Sequence, residues 1–311
     1  MKPIIFGLKG LTLTKEEIDF FKEVNPYGYI LFQRNCQSKL QIQDLVSHLK
    51  SLNIRPFIPI LIDQEGGRVS RLKAPIFKEF PPALSFIEQA KGNVKLAEEL
   101  VFNNYYALAL ELQELGINVN CAPMADILFD FSHNIIGDRS FGKTHEIVSN
   151  LANACCKGLI AGNVLPVIKH IPGHGRATLD SHYDLPIIST DYAILDATDF
   201  EVFRNLNSQP FAMTAHIIYK AIDKISPATL SKPVIDIIRE VINFRNILMT
   251  DDLSMKALSS ISLKVRAIKS LESGCDILLH CNGDIDEMKE IASIDYNTPE
   301  NIIAFTNQLL K

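Results

Sequence analysis

One stretch of the chain concentrates much of its titratable chemistry. Residues 169–186 read KHIPGHGRATLDSHYDLP and hold His170, His174 and His182, three of the eight histidines, beside Lys169, Asp180 and Asp184. Two histidines four apart would suit zinc on a helix, but Pro172 and Gly173 lie between them and work against one. Lys169 could form a Schiff base, yet nothing apolar clearly lowers its pKa. Asp180 and His182 are two apart, so an extended segment turns both to one side. A carboxylate there fixes the imidazole's tautomer and raises its basicity, a pairing suited to acid–base work near neutral pH. The same pair could equally tie down a loop.

Other residues invite the same question. In ILMTDDLSM, Asp251 falls at the tip of an apolar run, placed to attack or to stabilise a cation, and Asp252 is expected to cap the helix that follows. DQEGGRVSR (63–71) supplies Asp63, a glycine turn, then Arg68 and Arg71. IGDRSFG (136–142) adds Arg139. Each alone reads as a surface ion pair as readily as a ligand contact. Together with Lys169 and His170 they are donors for a polyhydroxylated substrate bearing an amide. No G-x-S-x-G supports a serine nucleophile.

Such residues need elements to position them, and the chain supplies a regular series. Apolar runs at 3–8, 28–32, 57–63, 117–124, 164–170, 211–216, 247–251 and 275–281 do not alternate cleanly, as parallel strands buried on both faces require. Helical patterns follow at 14–24, 38–52, 94–116, 144–162, 191–206, 231–242, 254–274 and 299–311. Thr14 and Ser38 stand as N-caps, and Gly116 and Gly162 as C-terminal stops. Eight strand–helix units in 311 residues indicate an α/β fold, a single-domain (β/α)8 barrel of the TIM type spanning 1–311. A doubly wound open sheet shares the local pattern, but no G-x-G-x-x-G follows the first strand. In a barrel the active site lies at the strands' C-terminal ends. Asp63, Asp126, Lys169, His170, His216 and Asp251 all fall there.

Composition narrows the function. Hydrophobic residues make up 47% and charged residues 22%, enough for a large core. A net charge of −5 without a dense basic run argues against nucleic-acid binding. Six cysteines without a C-x-x-C pair read as reduced thiols. No run approaches a membrane span or a signal peptide. A cytoplasmic monomer, with no nucleic-acid or membrane partner, is expected.

The motifs GYILFQRN, DQEGGRVSRL, APMAD, IGDRSFG, KHIPGHGRATLDSH, MTAH and MTDDLSM, in this order and spacing, resemble bacterial β-N-acetylglucosaminidases of glycoside hydrolase family 3, from about Gly28 to Met255. The likeness is to the short, single-domain cytoplasmic type of peptidoglycan recycling. It implies a retaining hydrolase without a cofactor or metal. Asp251 would be the nucleophile, and His182 the acid/base with Asp180 as its partner. Asp63, Arg71, Arg139, Lys169 and His170 would bind the sugar, and His174 would only shape the loop. The implied substrate is N-acetylglucosamine β-1,4-linked to anhydro-N-acetylmuramic acid, with or without peptide. Ile171 stands where Phe is frequent in the family. The rival readings are a metal-dependent barrel hydrolase, a non-catalytic amino-sugar-binding barrel, and a glycosidase with relaxed sugar preference or one transferring to phosphate instead of water.

Overall fold

The computed structural model describes residues 1–53, 55–181 and 184–308. Eight parallel strands close into a barrel: β1 (Lys2–Gly7), β2 (Pro26–Leu31), β3 (Ile60–Ile62), β4 (Val119–Asn120), β5 (Leu165–Ile171), β6 (Phe211–Thr214), β7 (Ile247–Asp252) and β8 (Ile277–His280). Each pairs with its neighbours in chain order, and β1 closes the ring against β8 in the register Ile4↔Leu278, Ile5↔Leu279, Phe6↔His280.

The apolar runs are continuous because both faces of each strand are buried. Leu61, Val167, Phe211, Met213, Ile247, Met249, Ile277 and Leu279 belong to one cluster inside the barrel. Their neighbours Ile60, Ile62, Ile168, Ala212, Leu248 and Leu278 pack outward against the helices. This period of two sets the site. The residue two beyond Leu61 is Asp63, two beyond Val167 is Lys169, and two beyond Met249 is Asp251. The interior therefore changes from apolar to ionic at one level, the C-terminal rim.

Around the barrel run α1 (Lys15–Val24), α2 (Lys39–Ser51), α3 (Leu84–Gln89), α4 (Val94–Glu114), α5 (His145–Ala161), α6 (Tyr192–Ala197), α7 (Asp199–Arg204), α8 (Lys232–Asp236), α9 (Leu263–Ser273), α10 (Ile285–Ala292) and α11 (Glu300–Gln308). Thr14 caps α1 in a full capping box with Glu17, and Ser38 caps α2. Among the described residues no helix is long and apolar enough to cross a membrane.

Several elements differ from the sequence expectation. The strand expected at 117–124 is regular only over Val119–Asn120; Pro123 has no N–H to give the ladder, and contact with β5 continues through Lys169 N to the Pro123 carbonyl and a single bridge between Met124 and Lys169. The helix expected at 191–206 breaks at Thr198, whose hydroxyl bonds the Ile194 carbonyl and the Asp199 carboxylate. That expected at 231–242 passes from α8 into a π turn at Ile237–Val241. The pattern at 254–274 shortens to α9, and Asp252 caps no helix there. Its carboxylate accepts from Ser254 N and Oγ and from Cys281 N, tying the tip of β7 to the end of β8. Gly162 keeps a negative φ, and the left-handed residue ending α5 is Asn163, at φ 59°. Helices α3 and α10 were not expected.

Candidate active site

The barrel's C-terminal mouth holds a cavity of about 340 Å³. Asp63, Arg71, Arg139, Lys169, His170 and Asp251 all line it, as do Glu65, His174, Ser181 and Asp252, with Ile30, Phe32, Met213, Met255 and Leu279 as apolar wall. Asp180 is not among the lining residues, although Ser181 is. Its carbonyl accepts from Asp184 N. His182, its expected partner, lies outside the described residues.

A chain of alternating charge runs through the mouth. Arg71 reaches Asp63 at 3.1 Å; Asp63 binds the Lys169 ammonium at 2.8 Å. Lys169 binds Glu65 at 2.7 Å, and Glu65 takes Arg139 through two bonds of 2.8 Å. Burial opposes the charge of Lys169, but Asp63 and Glu65 outweigh it and hold the ammonium above its ordinary range. The two carboxylates hold the cation in its charged form, which works against a Schiff base. Burial likewise opposes ionisation of Asp63 and Glu65. Lys169 and Arg71 still hold Asp63 well below the carboxylate range, and Arg139 and Lys169 bring Glu65 to about 2. Arg139, expected to hold sugar, is 8% exposed, and its guanidinium fork is committed to Glu65.

The turn after β3 makes this arrangement. Residues Gln64–Gly66 pair antiparallel with Val69–Ser70 in a small hairpin. Gly66 sits at φ 97°, and a Cβ there would meet the Pro81 carbonyl at 2.4 Å. Gln64 Oε1 accepts from the N–H groups of Arg71 and Leu72, which sets where the Arg71 side chain starts. Asn120 on β4 satisfies both backbone groups of Gln64, and Tyr105 on α4 donates to the Glu65 carbonyl. The Arg71 guanidinium lies 5.1 Å from the centre of the Phe32 ring.

The second part of the site is organised by Asp126. It is 1% exposed; one oxygen lies 2.8 Å from His170 Nδ1 and the other accepts from His174 N at 2.6 Å. An Nδ1–H donated to Asp126 leaves His170 Nε2 as the ring's other nitrogen, set for a ligand. Burial, aided by His170, brings His174 down to about 4, so its ring is neutral. His216 is also buried, which disfavours its charged form. Its Nε2 donates to the Asp252 carbonyl and Nδ1 accepts from Thr229, which steadies the tip of β7 beside Asp251. Gly175 permits a close crossing, since a Cβ there would stand 2.0 Å from the Ile127 carbonyl oxygen. Among the described residues no three His, Cys, Asp or Glu side chains converge as a metal site needs.

Sequence reading missed Glu65 and gave Asp126 no role. Glu65 had one signal: it stands two beyond Asp63. Its partner Arg139 is 74 positions away, and no local pattern joins them.

The arrangement offers fixed charges for hydroxyl groups, a carboxylate at a strand tip and a small apolar wall. The family model described as the glycosyl hydrolase family 3 N terminal domain matches residues 11–302. A beta-hexosaminidase of Nitrosomonas eutropha is 35% identical over 93% of this chain and 83% of its own. One from Neisseria meningitidis serogroup A is 34% identical over 96% and 82%. The crystal structure of NagZ from Neisseria gonorrhoeae in complex with N-trifluoroacetyl-D-glucosamine superposes with a TM-score of 0.89 at 32% identity, covering 100% of this chain and 90% of that one. A family 3 beta-N-acetylglucosaminidase from a Paenibacillus species gives 0.88 at 28% identity, covering 99% and 60%. Sequence and structure agree that this chain belongs to glycoside hydrolase family 3, as a β-N-acetylhexosaminidase.

Proposed function

We propose that the protein removes terminal β-linked N-acetylglucosamine with retention of configuration, acting on N-acetylglucosamine β-1,4-linked to anhydro-N-acetylmuramic acid, with or without peptide, in peptidoglycan recycling. Asp251 attacks the anomeric carbon while His182, oriented by Asp180, protonates the leaving oxygen. Water then enters, and His182 takes its proton as base. Asp63, Arg71, Lys169 and His170 hold the sugar hydroxyls, and Arg139 acts through Glu65. The protein works as a cytoplasmic monomer and needs no metal.

The observation that carries this reading is the cavity itself. Asp251 shares it with five of the expected sugar-binding residues, and at about 340 Å³ it lies near the lower end of the roughly 300–1,000 Å³ of ligand pockets, suited to one pyranose ring. The N-trifluoroacetyl-D-glucosamine bound by the gonococcal relative is the same class of sugar.

The test is hydrolysis of 4-nitrophenyl N-acetyl-β-glucosaminide with and without chelator, with the first-formed anomer read by NMR. Chelator-resistant release of the β-anomer is expected, and Asp251→Ala should abolish it. Release of the α-anomer, or an active Asp251→Ala, would sink the mechanism. A kcat/KM no higher for the anhydromuramyl disaccharide than for chitobiose would sink the substrate assignment.

A further inference from the structure

The segment from Gly173 to Ser181 is fastened at points that the chemistry above does not use. Arg176 donates from Nε to Asp199 Oδ2 at 2.7 Å and from Nη2 to Thr198 Oγ1 at 3.0 Å, and its guanidinium lies 4.1 Å from the centre of the Phe129 ring. Asp199 begins α7 and is 1% exposed. Gly173 packs on it so tightly that a Cβ would stand 2.8 Å from Asp199 Cβ. Tyr219 donates to the Gly173 carbonyl at 2.7 Å. At the other end, His174 Nε2 lies 3.2 Å from Ser181 Oγ, both residues being buried.

Arg176 is not among the residues lining the cavity. A buried ion pair adds little net stability, because desolvation offsets much of the attraction. Yet Arg176 spends its guanidinium fork and one face of the guanidinium plane on a single path for the loop. Ser181, where that path ends, stands between Asp180 and His182 in the chain. We propose that Arg176, acting through Asp199, is a positioning residue for the acid–base arm. It sets where the loop leaves the barrel, and so how well the proton donor reaches the glycosidic oxygen. This rests on the reading of His182 as acid/base.

A positioning role predicts a dependence on leaving group that a merely structural role does not. An alcohol leaves only when protonated, whereas 2,4-dinitrophenolate departs unaided. The experiment measures kcat/KM, which reports the first glycosyl transfer, for N-acetyl-β-glucosaminides carrying 2,4-dinitrophenyl, 4-nitrophenyl, 4-methoxyphenyl and methyl groups. It uses the wild type, Arg176→Ala, Arg176→Lys and His182→Ala. Arg176→Ala should lose roughly 10- to 100-fold on the methyl glycoside and stay within about threefold on the dinitrophenyl one. Arg176→Lys should recover part of the loss. If Arg176→Ala does not fold, Thr198→Val, which removes one of the two bonds, should show a smaller loss with the same selectivity. An even loss across the series, or none, while His182→Ala remains selective, overturns the proposal alone. A His182→Ala enzyme without selectivity overturns the acid/base reading, and the proposal with it.

Discussion

Glu65→Gln is the most informative single change. The carboxylate is 5% exposed and neutralises Arg139 and Lys169 together. The amide keeps the shape but removes the charge opposite Arg139 and leaves Lys169 to Asp63, which Arg71 also holds. Removing one member of a buried ion set costs about 3–5 kcal/mol. The acid–base properties give a similar figure. Lowering the Glu65 pKa from 4.5 to about 2 corresponds to roughly 3 kcal/mol of folding free energy at neutral pH. With about 2.1 cal/mol/K of unfolding entropy per residue, 311 residues give roughly 0.65 kcal/mol/K, so Tm should fall by about 5–8 °C. The pH dependence has a definite sign. A depressed carboxylate pKa contributes stability that is complete above pH 4.5 and is lost as pH falls through about 2. The gap between wild type and variant should therefore be full at pH 7 and shrink below pH 4.5. Thermal unfolding followed by circular dichroism at pH 7, 4.5 and 3 reads both. A Tm within about 1 °C of wild type at pH 7, or a gap that stays constant with pH, would refute the account of the charge chain.

Other outcomes follow from the same structure. Gly175→Ala should lower stability by at least about 2 kcal/mol in a denaturant melt, because its Cβ has no room against the Ile127 carbonyl. Thr14→Ala should cost about 1 kcal/mol with activity unchanged, since only the capping box of α1 is lost. His174 is neutral down to about pH 4 in the folded state but takes a proton near 6.5 when unfolded, so it makes stability fall as pH drops from 6.5 to 4. His174→Gln should flatten that part of the stability curve.

The barrel was legible because a parallel strand buried on both faces leaves an uninterrupted apolar run with a polar residue at its tip. Asp63, Lys169 and Asp251 mark three such tips. Element ends were less legible, because tertiary bonds decide them. Thr198 breaks a continuous helical pattern through a hydroxyl bond and the pull of Arg176 on Asp199. Asp252 looked like a helix cap because the cap pattern is local, whereas its partner Cys281 N comes from the next strand. What Glu65 and Asp126 do stayed hidden for a related reason. Their roles lie in holding Arg139 and His170, contacts that only closure of the barrel brings about.

That closure has a consequence for synthesis. β1 pairs with β2 on one side and with β8 on the other. The first edge is satisfied early; the second waits about 270 positions for Ile277–His280 to emerge. At about 5–20 residues per second, the nascent chain presents an unpaired strand edge for roughly 15–50 s. Exposed edges are templates for association with other chains. A message truncated before β8 would therefore yield no weakened enzyme, only an open sheet that invites capture by holding chaperones or self-association.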